Sequence, residues 1–433
     1  MSYGAATKIK RISAKRLIDR TVRHYLESDD FNGLSLSEMF GAQIQNVEGV
    51  KEFLKPLIET QRITVRCDVV DLNPFIKRMP DLSPDSEVAR LNEWQGGILI
   101  SYPTQKELET KVRREDFVGR PFSLEMALGA AWLDFRTFDL GVLEQYRNDP
   151  RYFYQVSDTH GDISVYDEHY TGTKMKESDK VSLAHFGFAY DDSMNRAIAV
   201  FLIDLHRLSP EHQRIWEARL LHGKYKLHPI FWETQIQGIW VKESVVTDAI
   251  LWEMHRINEC CKIMKRPPLF HRDYWQEERP RNFCFLIRPT AKEFAEFCQT
   301  LDKMMSENIS RKFFRGEIPE KKEKELKGGK IEVITKGTIT LLEEWLLKNW
   351  KPKDPAAFQS CFSIFKEVRK LRNPQAHTLI NNTFDQKHLA EQRTLLTKTY
   401  EVMKMLGFIF ESHPRVKFQT KESNKPEGEI YIY

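Results

Sequence analysis

Apolar residues recur at helical spacing through the first part of the chain. Leu17, Ile18, Val22, Tyr25 and Leu26 mark one helix, residues 35–40 a short second, and residues 47–60 a third that ends in Leu54, Leu57 and Ile58. Residues 62–69 then alternate polar and apolar, the period of a half-buried strand. Three helices and a strand within residues 1–75 resemble a winged helix. Such a unit either docks on DNA or packs against protein. The third helix is poor in arginine and no second wing strand is evident, so packing is the expected role.

Residues 76–315 mix both periods and read as an α+β region. Strands are expected at 97–102, 152–156, 163–166 and 282–287. Helices are expected at 123–135, 193–206, 210–222, 245–265 and 290–308. Residues 316–330, GEIPEKKEKELKGGK, nearly lack apolar side chains and end in Gly328-Gly329, the composition of a charged linker. Residues 331–433 return to helical spacing. Thr340 and Glu343 match a capping box, ahead of Leu341, Leu342, Trp345 and Leu346. Lys351-Pro352 closes that helix, and Pro355 opens one whose face carries Phe358, Cys361, Phe362, Phe365 and Val368. A last helix from near Asp385 steps through Leu389, Gln392, Leu396, Thr399, Met403, Leu406 and Phe410. The expected fold is α+β, mainly helical, ending in a helical bundle.

The length of 433 residues suits two or three domains. With 41% hydrophobic residues the chain can build cores, which excludes wholesale disorder. Lys and Arg total 66 against 62 acidic residues, a net charge of +4, so any nucleic-acid contact must be a local patch. The six cysteines form no CxxC pair, which speaks against a zinc ribbon and for a reducing, cytoplasmic setting. No run of 18 apolar residues is present, so no membrane association is expected. The basic N-terminus runs straight into a helical pattern and reads as a first helix, not a transit peptide. No Walker A or Rossmann glycine pattern occurs, and no cofactor or metal is expected.

The segment Arg369-Lys370-Leu371-Arg372-Asn373-Pro374-Gln375-Ala376-His377 carries the most chemistry. Arg372 prolongs the apolar face of its helix, where a guanidinium needs an anion. Asn373 before Pro374 is expected to leave the helix and cap a new turn, bringing His377 close to Arg372. An imidazole can move the proton of a ribose 2′-hydroxyl near neutral pH, and a guanidinium can hold the scissile phosphate. The spacing alone is common: Arg207 with His212 and Arg266 with His271 share it, but lie beside proline-containing loops.

Set between two amphipathic helices, Arg372-Asn373-Pro374-Gln375-Ala376-His377 resembles the motif of the HEPN superfamily, over about residues 331–433. The resemblance implies a helical bundle that forms homodimers with a composite cleft. It implies a metal-independent endoribonuclease of a toxin, abortive-infection or antiphage system, acting on RNA. Arg372 and His377 would be the catalytic pair and Asn373 the polar residue beside them. Products would carry a 2′,3′-cyclic phosphate and a 5′-hydroxyl. Residues 1–315 would sense a phage-derived trigger or bind an antitoxin. Two rivals stand beside this reading. One is a non-catalytic regulator or adaptor. The other is a metal-dependent phosphoesterase centred on Asp158 and His160, whose segment Ser157-Asp158-Thr159-His160-Gly161-Asp162 also suits a hairpin turn.

Overall fold

Ser13 starts the first helix: its side chain accepts from the Arg16 amide, and α1 runs Ala14–Glu27 with Leu17, Ile18, Thr21, Val22 and Tyr25 buried. A short strand β1 (Leu34–Ser35), a helical turn α2 (Ser37–Phe40) and helix α3 (Val47–Glu59) follow. Strands β2 (Ile63–Cys67) and β3 (Leu99–Pro103) pair antiparallel, and β3 takes β1 on its other edge, giving the order β1-β3-β2. β3 is the strand expected at 97–102, and a segment carrying α4 (Pro84–Glu93) separates it from β2 in the chain. Hydroxyls of Thr21 and Ser101 hydrogen-bond at 2.9 Å, which ties α1 to β3, and Tyr25 donates to the Met126 carbonyl of the helix Pro121–Ala127 at 2.8 Å.

The computed structural model describes residues 12–40, 46–67, 73–77, 83–157, 159–171, 175–239, 244–274, 279–325, 331–350, 355–377, 381–417 and 430–431. They form two units. One comprises Met1–Val142 and Ile163–Lys226, the other Leu143–Asp162 and Leu227–Tyr433.

The first unit also holds β4 (Phe135–Phe138), β5 (Ser182–Tyr190) and β6 (Arg196–Phe201), with β6 paired antiparallel to both others. The helix expected over 193–206 is therefore strand β6 followed by the short helix Leu202–His206. Ala197 to Phe201 are all buried, so both faces of β6 are packed and the alternation that marks a strand is erased. The helix expected over 123–135 shortens to Pro121–Ala127, and Phe135 opens β4.

The second unit is chiefly helical: α5 (Val246–Ile263), α6 (Ala291–Asp302), α7 (Thr338–Asn349), α8 (Pro355–His377) and α9 (Lys387–Glu411). α5 and α8 pack on α9, and α6 packs on α8. Met254, Phe297, Leu301, Trp345, Phe362, Met403 and Phe410 belong to one core. Residues 282–287 form no strand. The α9 side chain of Gln392 accepts from the Leu286 amide and donates to the Cys284 carbonyl at 2.8 Å, so an irregular segment is satisfied without a ladder. The capping box at Thr340 is absent, because α7 begins two residues earlier, behind Gly337. The charged run is not a boundary between units. Its residues Lys321–Glu325 form β7, paired antiparallel with β8 (Ile331–Thr335). Gly328, Gly329, Lys351 and Pro352 lie outside the described residues. Among the described residues no helix is long and apolar enough to cross a membrane.

Candidate functional site

Helix α8 is anchored through Phe358, Phe362, Ile364, Phe365 and Val368, all buried. The rings of Phe358, Phe362 and Phe365 follow one another at centroid distances of 4.9 and 5.6 Å. α8 then continues unbroken through Asn373 and Pro374 to His377. The expected cap at Asn373 is therefore not formed. A residue before proline is only biased away from helix, and Pro374 costs the Lys370 carbonyl one hydrogen bond close to the helix C-terminus, where carbonyls can turn to water. On one continuous helix, positions 372 and 377 lie about 7–8 Å apart along the axis and about 140° apart around it. One helix alone does not present both positions on one face. The side chains of Asn373 and His377 lie outside the described residues.

Arg372 does find an anion, and it lies in its own chain. Its Nη1 donates to Asp302 Oδ2 at 2.7 Å and also to Glu307. Arg369 Nε stands 3.5 Å from the other Asp302 oxygen. Asp302 is the last residue of α6 and is fully buried. A π-helical turn, Lys303–Glu307, follows it and brings Glu307 back to the same guanidinium. The hydrogen bonds to Asp302 and then to Glu307 hold Arg372 above its usual pKa. The cluster of two guanidinium and two carboxylate groups is charge-balanced. It is layered: Asp302 lies at its base, while 26% of Arg372 and 42% of Glu307 remain exposed. The rim, not the base, is where an outside anion could compete.

Asp302 and Glu307 escaped the sequence reading because they stand far from Arg372 in the chain. One signal was present: Asp302 follows Phe294 and Cys298 at helical spacing, and an acid on that buried stripe requires a cation.

The other spacing matches are committed elsewhere. Arg207 pairs with Asp30 at 2.9 Å. Arg266 pairs with Glu317 and lies over the rings of Phe313 and Trp345 at 4.5 and 5.2 Å. Between strands Tyr152–Val156 and His160–Val165 the Ser157 amide donates to the His160 carbonyl at 2.8 Å, and Thr159 Oγ1 meets His160 Nδ1 at 2.9 Å. That is the hairpin turn; Asp158 lies outside the described residues. Among the described residues no group of three or more His, Cys, Asp or Glu is placed to hold a metal ion. Cys260 and Cys261 are buried in α5, and burial pushes both thiols up to about 12. Comparison with protein-family models, with curated proteins and with solved structures finds no match to this chain.

Proposed function

We propose that the chain is a latent, metal-independent endoribonuclease of a defence or toxin system, acting as a homodimer. Arg372 and His377 are its catalytic pair and Asn373 their polar neighbour. The observation that carries this reading is a surface guanidinium on a well-anchored helix, five positions before a histidine, with its charge held by carboxylates of the same chain. The resemblance of residues 372–377 to the HEPN motif agrees with it.

In the reaction, His377 takes the proton from the ribose 2′-hydroxyl as that oxygen bonds to phosphorus. The bond from phosphorus to the 5′-oxygen breaks, and that oxygen leaves as a hydroxyl by taking a proton from solvent water. Arg372 holds a non-bridging phosphate oxygen while charge builds on it. The wide angle between positions 372 and 377 favours a cleft built from two protomers, each completing the other. Latency follows from competition, because Arg372 must exchange Glu307 for phosphate. The remainder of the chain senses the trigger or antitoxin.

The test is cleavage of RNA by the purified chain in EDTA. His377→Ala should slow cleavage by at least about 100-fold. Glu307→Gln should raise it by loosening the hold on Arg372. A wild-type protein that never cuts RNA, or a His377→Ala variant that cuts as well as wild type, would sink the proposal.

A non-catalytic adaptor is the second reading. It is favoured by the way Arg372 answers the buried Asp302, a purely structural need.

A further inference from the structure

The first unit begins α1, β1, α2, α3, β2, α4, β3, and a third helix set before paired strands is the one that would enter a nucleic-acid groove. Here that helix is α3, and its exposed positions include Glu48, Glu52 and Glu59. Its two lysines do not offset them: Lys55 is tied to Glu52 at 2.8 Å, and Lys51 is buried against Glu48 and the Asn92 carbonyl. Phosphate repels such a face.

α1 has the opposite character. Lys15, Arg16, Arg20 and Arg23 are all exposed, and their positions fall within about 140° of the helix circumference. They line one shallow surface depression together with Ser13, Asp19, His24 and Glu27, four cations against two carboxylates. Asp19 does not cancel them, because Lys111, the last residue of the helix Gln105–Lys111 that follows β3, binds it at 2.9 Å. That hydrogen bond, with the charges of Lys15 and Arg23, holds the Asp19 carboxyl below its usual range. Lys15 and Arg23 are eight positions apart, about 12 Å along the axis. The opposite face of α1 is buried, so the cations are mounted on a fixed rod. No Phe, Tyr or Trp stands on the exposed arc, so it offers no stacking platform for unpaired bases. Backbone charge is the feature of a nucleic acid that this surface fits.

We propose that the cationic arc of α1 binds the phosphate backbone of double-stranded RNA without reading sequence, while α3 stays out of the groove. The choice of RNA over DNA rests on the ribonuclease reading above; the choice of a phosphate backbone rests on α1 alone.

The test uses full-length His377→Ala protein, which leaves the probe intact, and fluorescence anisotropy with a short labelled RNA duplex. The parent should bind with a strong salt dependence. Adding Lys15→Ala, Arg16→Ala and Arg23→Ala should weaken binding at least about 10-fold and lower the slope of log affinity against log salt by about 2–3. Circular dichroism should be unchanged. Glu52→Gln with Glu59→Gln, on α3, should bind as the parent does. Wild-type protein that cuts no RNA, in a chain whose α1 variant still loses RNA binding, removes the nuclease reading and keeps this surface. Equal binding by parent and triple variant would overturn the proposal. Equal affinity for a DNA duplex of the same sequence would overturn the choice of RNA and leave the backbone surface, whereas equal affinity for poly-glutamate would overturn both.

Discussion

Asp302 is fully buried, and its carboxylate depends on the guanidinium of Arg372. Removing one partner of a buried pair strands the other, at a cost of about 3–5 kcal/mol. Arg372→Ala should therefore lose stability on the order of 3 kcal/mol, and adding Asp302→Asn should restore much of it. Urea unfolding of the two variants checks this; an undisturbed Arg372→Ala protein would show that the pair carries no load. The same coupling makes His377→Ala the cleaner probe of catalysis. Glu253 gives a pH signature. Burial, opposed by Arg256 and aided by Glu411, raises its carboxyl from 4.5 to about 6. Between those values the folded state binds more protons than the unfolded state, so stability falls as pH rises through that window, by about 2 kcal/mol. Glu253→Gln should flatten the slope between pH 4.5 and 6 in urea titrations. At this scale the sequence showed that Arg372 needed an anion, because its place on an apolar helix face is legible from spacing. It did not show which anion, because chain separation hides Asp302 and Glu307.

Helices with one buried face were legible as elements. In α9 six of the seven predicted stripe positions, Gln392, Leu396, Thr399, Met403, Leu406 and Phe410, are buried, and Leu389 is half-buried. β6 was not legible, because a strand buried on both faces keeps no period, and α7 began early because a glycine serves as its cap. α9 also carries Gly407 in its interior, where helix propensity alone disfavours glycine by about 1 kcal/mol relative to alanine. Packing explains it. Arg256 of α5 reaches across to Glu411 at 2.5 Å and passes over Gly407, where an added Cβ would collide with the guanidinium. Gly407→Ala should therefore destabilise the protein in urea unfolding, against the gain that propensity predicts. A stabilised variant would mean that the α5–α9 seam yields freely.

The division of the whole chain was the least legible level, because both units are discontinuous: the segment Leu143–Asp162 belongs with the C-terminal half. The run 316–330 looked like a linker on composition, yet its flanks are bound together. Trp345 Nε1 donates to Glu317 at 2.7 Å, Arg311 donates to the Lys336 carbonyl at 2.8 Å, and the rings of Phe313 and Trp345 lie 4.8 Å apart. A protease site placed within residues 326–330 should give two fragments that still co-elute on size exclusion and separate only in denaturant. Separation in native buffer would restore the linker view. RNA cleavage by Arg372 and His377 is tested most directly by mapping RNA ends after incubation with the purified protein in EDTA, comparing wild type with His377→Ala. Wild type alone should give new 2′,3′-cyclic phosphate and 5′-hydroxyl ends. Ends bearing 3′-hydroxyls, cleavage that vanishes with EDTA, or identical ends from both proteins would contradict it.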